Sequence, residues 1–172
     1  MRLTSTFTLL FALTLGSAGA VLASPTPVPG GANQAEGVPT TFGKAAFNGE
    51  VRLTPRQLRD SNATEDFISP SGQKWIVLYA TASNGTKKSL DMQQFVASIV
   101  NADGESYTAD PDKINPVGCA CGIAPGAGWR ERIAFLVPTD FKPVKILVLP
   151  YDRKHKAFRI TVGANDYKPA AS

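Results

Sequence analysis

The sequence is poor in the residues that most often carry chemistry or cross-links. Only two of its 172 residues are cysteine, and only one is histidine. Two cysteines exclude a small scaffold that several disulfides hold together. One histidine excludes a zinc site built from several imidazoles and leaves a Ser-His-Asp hydrolase with a single candidate base. The stability of the fold must therefore come mainly from an apolar core.

Catalytic motifs and membrane spans are missing as well. The chain has no Gly-x-Ser-x-Gly, no His-Glu-x-x-His and no phosphate-binding glycine loop. We therefore predict that the protein is not an enzyme, and we assign it no catalytic residue, cofactor or metal site. No stretch approaches the roughly 20 apolar residues that a membrane helix needs, so we expect no transmembrane segment.

The first 23 residues have the composition of a secretory signal peptide. Arg2 supplies the positive start, Phe7–Leu15 form a short apolar run, and small residues follow. Cleavage fits after Val21-Leu22-Ala23, and Ala18-Gly19-Ala20 is a second candidate. Removal of residues 1–23 takes away one positive charge, which lowers the formal net charge from +4 to +3. The mature chain is predicted to be secreted or extracytoplasmic, in the periplasm or cell envelope.

Composition divides the rest of the chain into a tether, one domain and a tail. Residues 24–40 contain four prolines, three glycines and almost no bulky apolar side chain, which predicts a flexible tether. Residues 41–165 are long enough for one domain with its own core. Residues 166–172 are predicted to be a disordered tail.

Alternation of apolar and polar residues dominates the predicted domain. It predicts strands at Phe42–Phe47, Gly49–Leu53, Trp75–Ala80, Phe95–Val100, Glu105–Thr108, Trp129–Val137, Val144–Leu149 and Phe158–Val162. Both faces of the strand at Trp75–Ala80 are apolar, so we expect it to be central and covered on both sides. The one helical signal is Thr54–Leu58, where Thr54 could cap a single turn.

About seven or eight short strands with turn signals between them are typical of an all-β, immunoglobulin-like antiparallel sandwich. The core candidates are Trp75, Phe95, Phe135 and Ile146.

Several of these segments resemble one family of secreted domains. Lys74–Gly85, which ends in Asn-Gly, resembles its long central strand, and Phe95–Tyr107 resembles its next hairpin. Pro125–Pro138 is similar to its Pro-Gly turn and following strand, and Val144–Leu149 fits its last core strand. The family is that of telokin-like, immunoglobulin-like extracellular domains of unknown function, which includes a secreted mycobacterial immunogenic antigen. The resemblance covers roughly residues 42–163 and implies a β-sandwich and an extracytoplasmic location, with no catalytic residue.

Cys119 and Cys121 lie outside this pattern and form the sharpest local signal. Their spacing excludes the antibody-type bridge between two sheets. A disulfide between them would close a very small ring, which is strained and easily reduced. Four interpretations stay open: an inert bridge, a redox-active or metal-binding thiol pair, a link to another chain, and free thiols. The redox-active or metal-binding pair is our alternative function.

The densest basic cluster is a predicted loop that contains Arg153, Lys154, His155 and Lys156. Such a loop can dock on an anionic cell-envelope polymer or lipid, but we favour its interpretation as a solvated turn. We interpret His155 as a solvated loop histidine. The mild net charge does not indicate a nucleic-acid partner, which leaves an envelope polymer or another surface protein.

Other polar motifs are explained by turns. Asn62-Ala63-Thr64 and Asn84-Gly85-Thr86 match the N-glycosylation pattern, and we interpret both as turn residues. The acidic residues near Asn101 lack the ligand spacing of an EF-hand. The sequence therefore predicts a secreted or envelope-associated, non-enzymatic β-sandwich that is a binding module of unknown ligand.

Overall fold

The structure is a computed structural model that describes residues 37–61, 67–90, 95–113, 115–117, 122–150 and 155–170. The predicted signal peptide and most of the predicted tether lie outside the described residues. So do Asn62, Cys119, Cys121, Arg153 and Lys154.

Strands make up most of the described chain. They are β1 (Gly37–Thr41), β2 (Ala46–Phe47), β3 (Val51–Asp60), β4 (Gln73–Asn84), β5 (Phe95–Asn101), β6 (Ser106–Thr108), β7 (Asn115–Val117), β8 (Gly128–Pro138), β9 (Pro143–Pro150), β10 (Ala157–Thr161) and β11 (Tyr167–Lys168). One turn of 3-10 helix, Pro111–Lys113, lies between β6 and β7. No helix in the described part of the chain is long and apolar enough to cross a bilayer.

The strands form two sheets. Sheet I has the order β1-β10-β9-β5-β6, and sheet II has the order β11-β3-β4-β8-β7, with β2 also paired to β3. Most neighbours are antiparallel, whereas β1 with β10 and β11 with β3 are parallel. The predicted all-β sandwich is confirmed, and β4 is a central strand as predicted.

The core lies between the two sheets and is built from the inward positions of the strands. Phe95, Phe135 and Ile146 are fully or almost fully buried in it, as predicted. Burial of each such side chain stabilises the fold by about 1.5–3 kcal/mol. Trp75 is also buried, but it belongs to a second cluster on the opposite face of sheet II, with Phe67. Because side chains alternate along β4, Trp75 and the next residue, the core residue Ile76, lie on opposite faces of the sheet.

The predicted tether extends too far into the domain. Residues 37–40 belong to β1, which pairs in register with β10 along the edge of sheet I. The backbone of β10 would otherwise have unpaired groups on that side, and β1 satisfies them. Gly37 permits the close approach, because a Cβ there would lie 3.0 Å from the carbonyl oxygen of Ala157.

The predicted disordered tail is likewise wrong for Tyr167 and Lys168, which form β11. The Tyr167 hydroxyl donates a hydrogen bond to Asp60, and Lys74 Nζ donates to the Tyr167 oxygen at 2.9 Å. The backbone N–H of Ala170 donates to the second oxygen of Asp60 at 3.1 Å. Burial and the Asp60 carboxylate raise the pKa of Tyr167 far above its usual range. A polar anchor therefore holds the chain end on sheet II.

The predicted helical turn at Thr54–Leu58 is wrong as well, because these residues lie within β3. Leu53 and Leu58 are both fully buried, and both reach the core because this stretch is a strand and not a helical turn. On the side of β3 that faces away from β4, β2 pairs with β3 at Leu53 and β11 pairs with it at Leu58. Pro55 lies between these two pairings and has no partner strand on that side. A missing N–H is tolerated at such a position. Packing between the sheets thus overrides the local helix signal.

Candidate functional site

The outward side of sheet II carries rows of arginine and hydroxyl side chains. On one side of β4, Arg52 of β3 pairs with Ser83 and Thr54 of β3 pairs with Thr81. On the other side of β4, Thr81 pairs with Arg130 of β8. Residues that are opposite each other in an antiparallel pair share a face, so these side chains are neighbours. We call this surface the arginine face, and it consists of Arg52, Thr54, Arg56, Thr81, Ser83 and Arg130.

A β-bulge adds Arg56 to this face. The register of β3 against β4 shifts just after Pro55, so β3 has one residue more than its partner. Arg56 Nε donates a hydrogen bond to Thr81 Oγ1 at 3.2 Å, which places its guanidinium on the outer side. If side chains alternated strictly from the inward residue Leu53, Leu58 would lie on the outer face together with Arg56. The bulge returns Leu58 to the core and keeps Arg56 outside.

The arginine face forms a trough of about 440 Å³. Residues of β3 and β8 line its two walls, and Thr81 and Ser83 of β4 lie on the floor. Neighbouring strands are about 4.8 Å apart, so the backbones of the two walls are about 10 Å apart. Gly128 lies opposite Ser83 at one end of the trough and adds no side chain to the β8 wall there.

The charge of the trough is of one sign. The outward positions of β3, β4 and β8 contain no Asp or Glu. Arg52, Arg56 and Arg130 are exposed, and none of them forms an ion pair with a carboxylate of the described residues. Guanidinium groups remain charged at any physiological pH. The trough therefore has a positive potential that its own walls do not neutralise.

Beside the trough, the outer face of sheet II carries a buried apolar cluster. Phe67 packs edge-on against Trp75 with ring centroids 5.8 Å apart, and Val77 and Ala134 lie in the same buried cluster. The Arg132 guanidinium lies 5.3 Å from the centre of the Phe67 ring, in a cation–π contact. Arg59 is exposed at another outward position of β3, so positive charge on this face extends beyond the trough.

Glu131 is a buried acid that the sequence analysis missed. It occupies an inward position of β8 and is 2% exposed. Trp129 Nε1 donates a hydrogen bond to Oε1, and Oε2 has no hydrogen-bond partner among the described residues. Burial disfavours the charged form and raises the pKa of Glu131 to about 7, although the Trp129 hydrogen bond opposes this change. The signal in the sequence was a glutamate at an inward position of the Trp129–Val137 alternation.

The predicted site residues do not form one described cluster. Cys119 and Cys121, and the loop residues Arg153 and Lys154, lie outside the described residues, so their roles stay predictions. His155 is not simply solvated, because its Nδ1 lies 3.1 Å from Glu50 Oε2 and its side chain is partly buried. The carbonyl of Lys156 accepts a hydrogen bond from Asn48 at 3.2 Å. The described end of the basic loop thus contacts the turn between β2 and β3.

Asn84 is a structural turn residue. It is 2% exposed, and its amide donates to the carbonyls of Lys88 at 2.7 Å and Ile123 at 2.8 Å. Its Oδ1 accepts hydrogen bonds from the N–H and the hydroxyl of Thr86, both at 2.8 Å. The side chain that a glycan would need is therefore fully engaged in the folded protein.

Turn chemistry also explains the polar residues near Asn101. The Asn101 amide donates to Glu105 at 2.8 Å and accepts from the Glu105 N–H at 2.9 Å, while Gly104 has a φ of 85°. No group of three potential metal ligands is present among the described residues. These residues close the β5–β6 turn.

Known structures share the sandwich fold. MPT63, a secreted protein from Mycobacterium tuberculosis, is 18% identical with a TM-score of 0.51, over 74% of this chain and 99% of that one. The YjhA protein from Bacillus subtilis is 9% identical with a TM-score of 0.50, over 72% and 99%. An uncharacterized β-sandwich protein from Clostridium difficile 630 is 13% identical with a TM-score of 0.49, over 76% and 97%.

At these identities the likeness establishes the fold alone. No protein-family model and no curated protein matches the chain. The β-sandwich is thus established, while the telokin-like family assignment stays a prediction.

Proposed function

We propose that this protein is a secreted or envelope-associated, non-enzymatic β-sandwich that binds an anionic ligand through the arginine face. The observation that carries the proposal is the placement of Arg52, Arg56 and Arg130 around one trough whose walls contain no carboxylate. Arginine is suited to this role because its planar guanidinium pairs with two oxygens of an anion at once. An anionic ligand would supply the charge that the walls lack.

An extracytoplasmic location is supported by the predicted signal peptide in residues 1–23. MPT63, which is described as a secreted protein, has the same fold. A non-enzymatic role is supported by the position of Glu131, the titratable carboxyl with a strongly raised pKa. Glu131 is enclosed in the core, where a substrate in solution does not reach it.

The competing site is the basic loop that contains Arg153, Lys154, His155 and Lys156. The arginine face is the better candidate because its side chains project from paired strands, which hold a binding site more rigidly than a loop does. His155 also has Glu50 close by, which reduces the net charge of the loop. The thiol pair Cys119 and Cys121 remains the alternative function, and it stays a prediction.

Two matched variants separate the two surfaces. R52Q/R56Q/R130Q and R153Q/K154Q/K156Q each remove three positive charges, so a non-specific effect of net charge is equal in both. We expect the face variant to lose at least about a hundredfold in affinity for a polyanion, since each charged contact contributes on the order of a factor of ten. The loop variant should keep the affinity of the wild type within a few-fold.

The measurement is titration of the mature protein with fluorescently labelled polyphosphate, with circular dichroism as the test of folding. Loss of binding in the loop variant alone would move the site to the loop. A wild-type protein that binds neither polyphosphate nor polyglutamate would overturn the proposed function.

A further inference from the structure

We infer that the ligand of the arginine face is a linear polymer with repeating phosphate groups, which lies in the trough between β3 and β8. This inference rests on the proposed function and adds the chemistry of the ligand. The positions of the donors, the floor hydroxyls and the length of the trough support it.

Hydrogen-bond donors lie on three sides of the trough. Arg52 and Arg56 lie on one wall and Arg130 on the other, with the hydroxyls of Thr81 and Ser83 between them. A carboxylate accepts hydrogen bonds in the plane of its two oxygens, and one guanidinium fork in that plane pairs with both oxygens. A phosphate group is tetrahedral, and its oxygens accept hydrogen bonds from several directions. Donors on two walls and a floor therefore match phosphate better than carboxylate.

The contact between Arg56 and Thr81 prepares this site. Thr81 Oγ1 accepts a hydrogen bond from Arg56 Nε at 3.2 Å. A hydroxyl that accepts in this way still has its own proton to donate. The N–H groups of the two terminal nitrogens of Arg56 are still available to donate to a ligand, because only Nε donates to Thr81. The bulge arginine and the floor hydroxyl thus present their donors from adjacent positions.

The shape of the trough suits an extended chain. The stretch of β3 from Arg52 to Arg56 is about 13 Å long at the strand rise, which is longer than one phosphate group. Gly128 adds no side chain opposite Ser83, so β8 presents no side chain to a polymer at that position. The wall spacing of about 10 Å admits one extended chain between the arginines. A closed pocket would instead have favoured a single small anion.

The test compares three probes with the mature protein. They are long-chain sodium polyphosphate, poly-L-glutamate with the same number of charges, and phosphatidylcholine vesicles that contain phosphatidylglycerol. We expect polyphosphate to bind at least about tenfold more tightly than polyglutamate at the same salt concentration, which corresponds to one extra charged hydrogen bond. The logarithm of the affinity should fall with the logarithm of the salt concentration with a slope of about −2, as expected for three arginine contacts to a single strand.

The hydroxyl variant T81V/S83A is the critical comparison. It should lose most of the preference for polyphosphate, because it removes the floor donors and leaves the three arginines in place. T108V/T161V, which removes two hydroxyls from exposed positions of sheet I, is the matched control and should keep the preference.

Each result decides a different point. Equal affinity for the two polymers would overturn the inference and leave the proposed function standing. Tighter binding to the vesicles than to polyphosphate would overturn it in favour of a lipid headgroup. Absence of binding to all three probes would overturn the proposed function as well.

Discussion

Replacement of Glu131 by glutamine should make the stability of the fold less dependent on pH. Glu131 is enclosed between the sheets beside Trp129, and its pKa is raised to about 7 by burial. The variant Glu131→Gln has the shape of the protonated acid and keeps an oxygen that can accept the Trp129 hydrogen bond. It lacks a group that can ionise at this position.

The magnitude follows from the difference between the folded and unfolded pKa values. The ordinary pKa of 4.5 rises to about 7 in the folded protein, and a tenfold change in an acid dissociation constant corresponds to about 1.4 kcal/mol. Below pH 4.5 both states hold the proton and the group has no effect. As the pH rises from 4.5 to 7 the unfolded chain releases the proton first, so stability falls, and above about pH 7 it changes no further. Between about pH 5 and pH 8 the loss due to Glu131 is about 2–3 kcal/mol.

The assay is urea unfolding at about pH 5 and pH 8, followed by far-ultraviolet circular dichroism. We expect the wild type to lose about 2–3 kcal/mol more than Glu131→Gln over this interval. Glu105→Gln, which changes an exposed carboxyl in the β5–β6 turn, controls for the loss of one negative charge. Parallel pH profiles for the wild type and Glu131→Gln would refute the assignment of a protonated acid in the core.

Three further substitutions test the anchor, the turn and the core, and a fourth is a control. Tyr167→Phe removes the hydroxyl that joins β11 to Lys74 of β4 and Asp60 of β3. It should lower the free energy of unfolding, measured by urea titration, by about 1–3 kcal/mol. Asn84→Ala removes the four hydrogen bonds of a side chain that is 2% exposed and should cost more than about 2 kcal/mol. Peptide mass mapping after secretion from a glycosylating host should find the peptide that contains Asn84 without a glycan. Phe135→Ala should cost about 3–5 kcal/mol, whereas Ile68→Ala, at a side chain that is 77% exposed, should stay within about 0.5 kcal/mol. An equal effect of the last two substitutions in thermal unfolding would contradict the assignment of the core.

The alternation of residues predicted the parts of the fold that depend on local geometry. Side chains alternate between the two faces of any strand. The inward positions of β8 and the two apolar faces of β4 could therefore be identified without knowing which strands pair. The failures have a non-local cause. Residues 37–40 have the composition of a tether, and they become a strand only because β10 offers them an edge. Thr54–Leu58 has the residues of a capped turn, and it becomes a bulged strand because both flanking leucines must reach the core.

The sequence by itself determined the class of the fold and the face on which most strand residues lie, because a strand's period of two is a local property. It also indicated the predicted secretion signal, which is a property of composition. Only the tertiary structure decided the arginine face, since Arg56 and Arg130 lie far apart along the chain and meet through the registers of β3, β4 and β8. The pKa of Glu131 was decided in the same way, because desolvation depends on the sheet that packs over the residue and not on its neighbours in sequence.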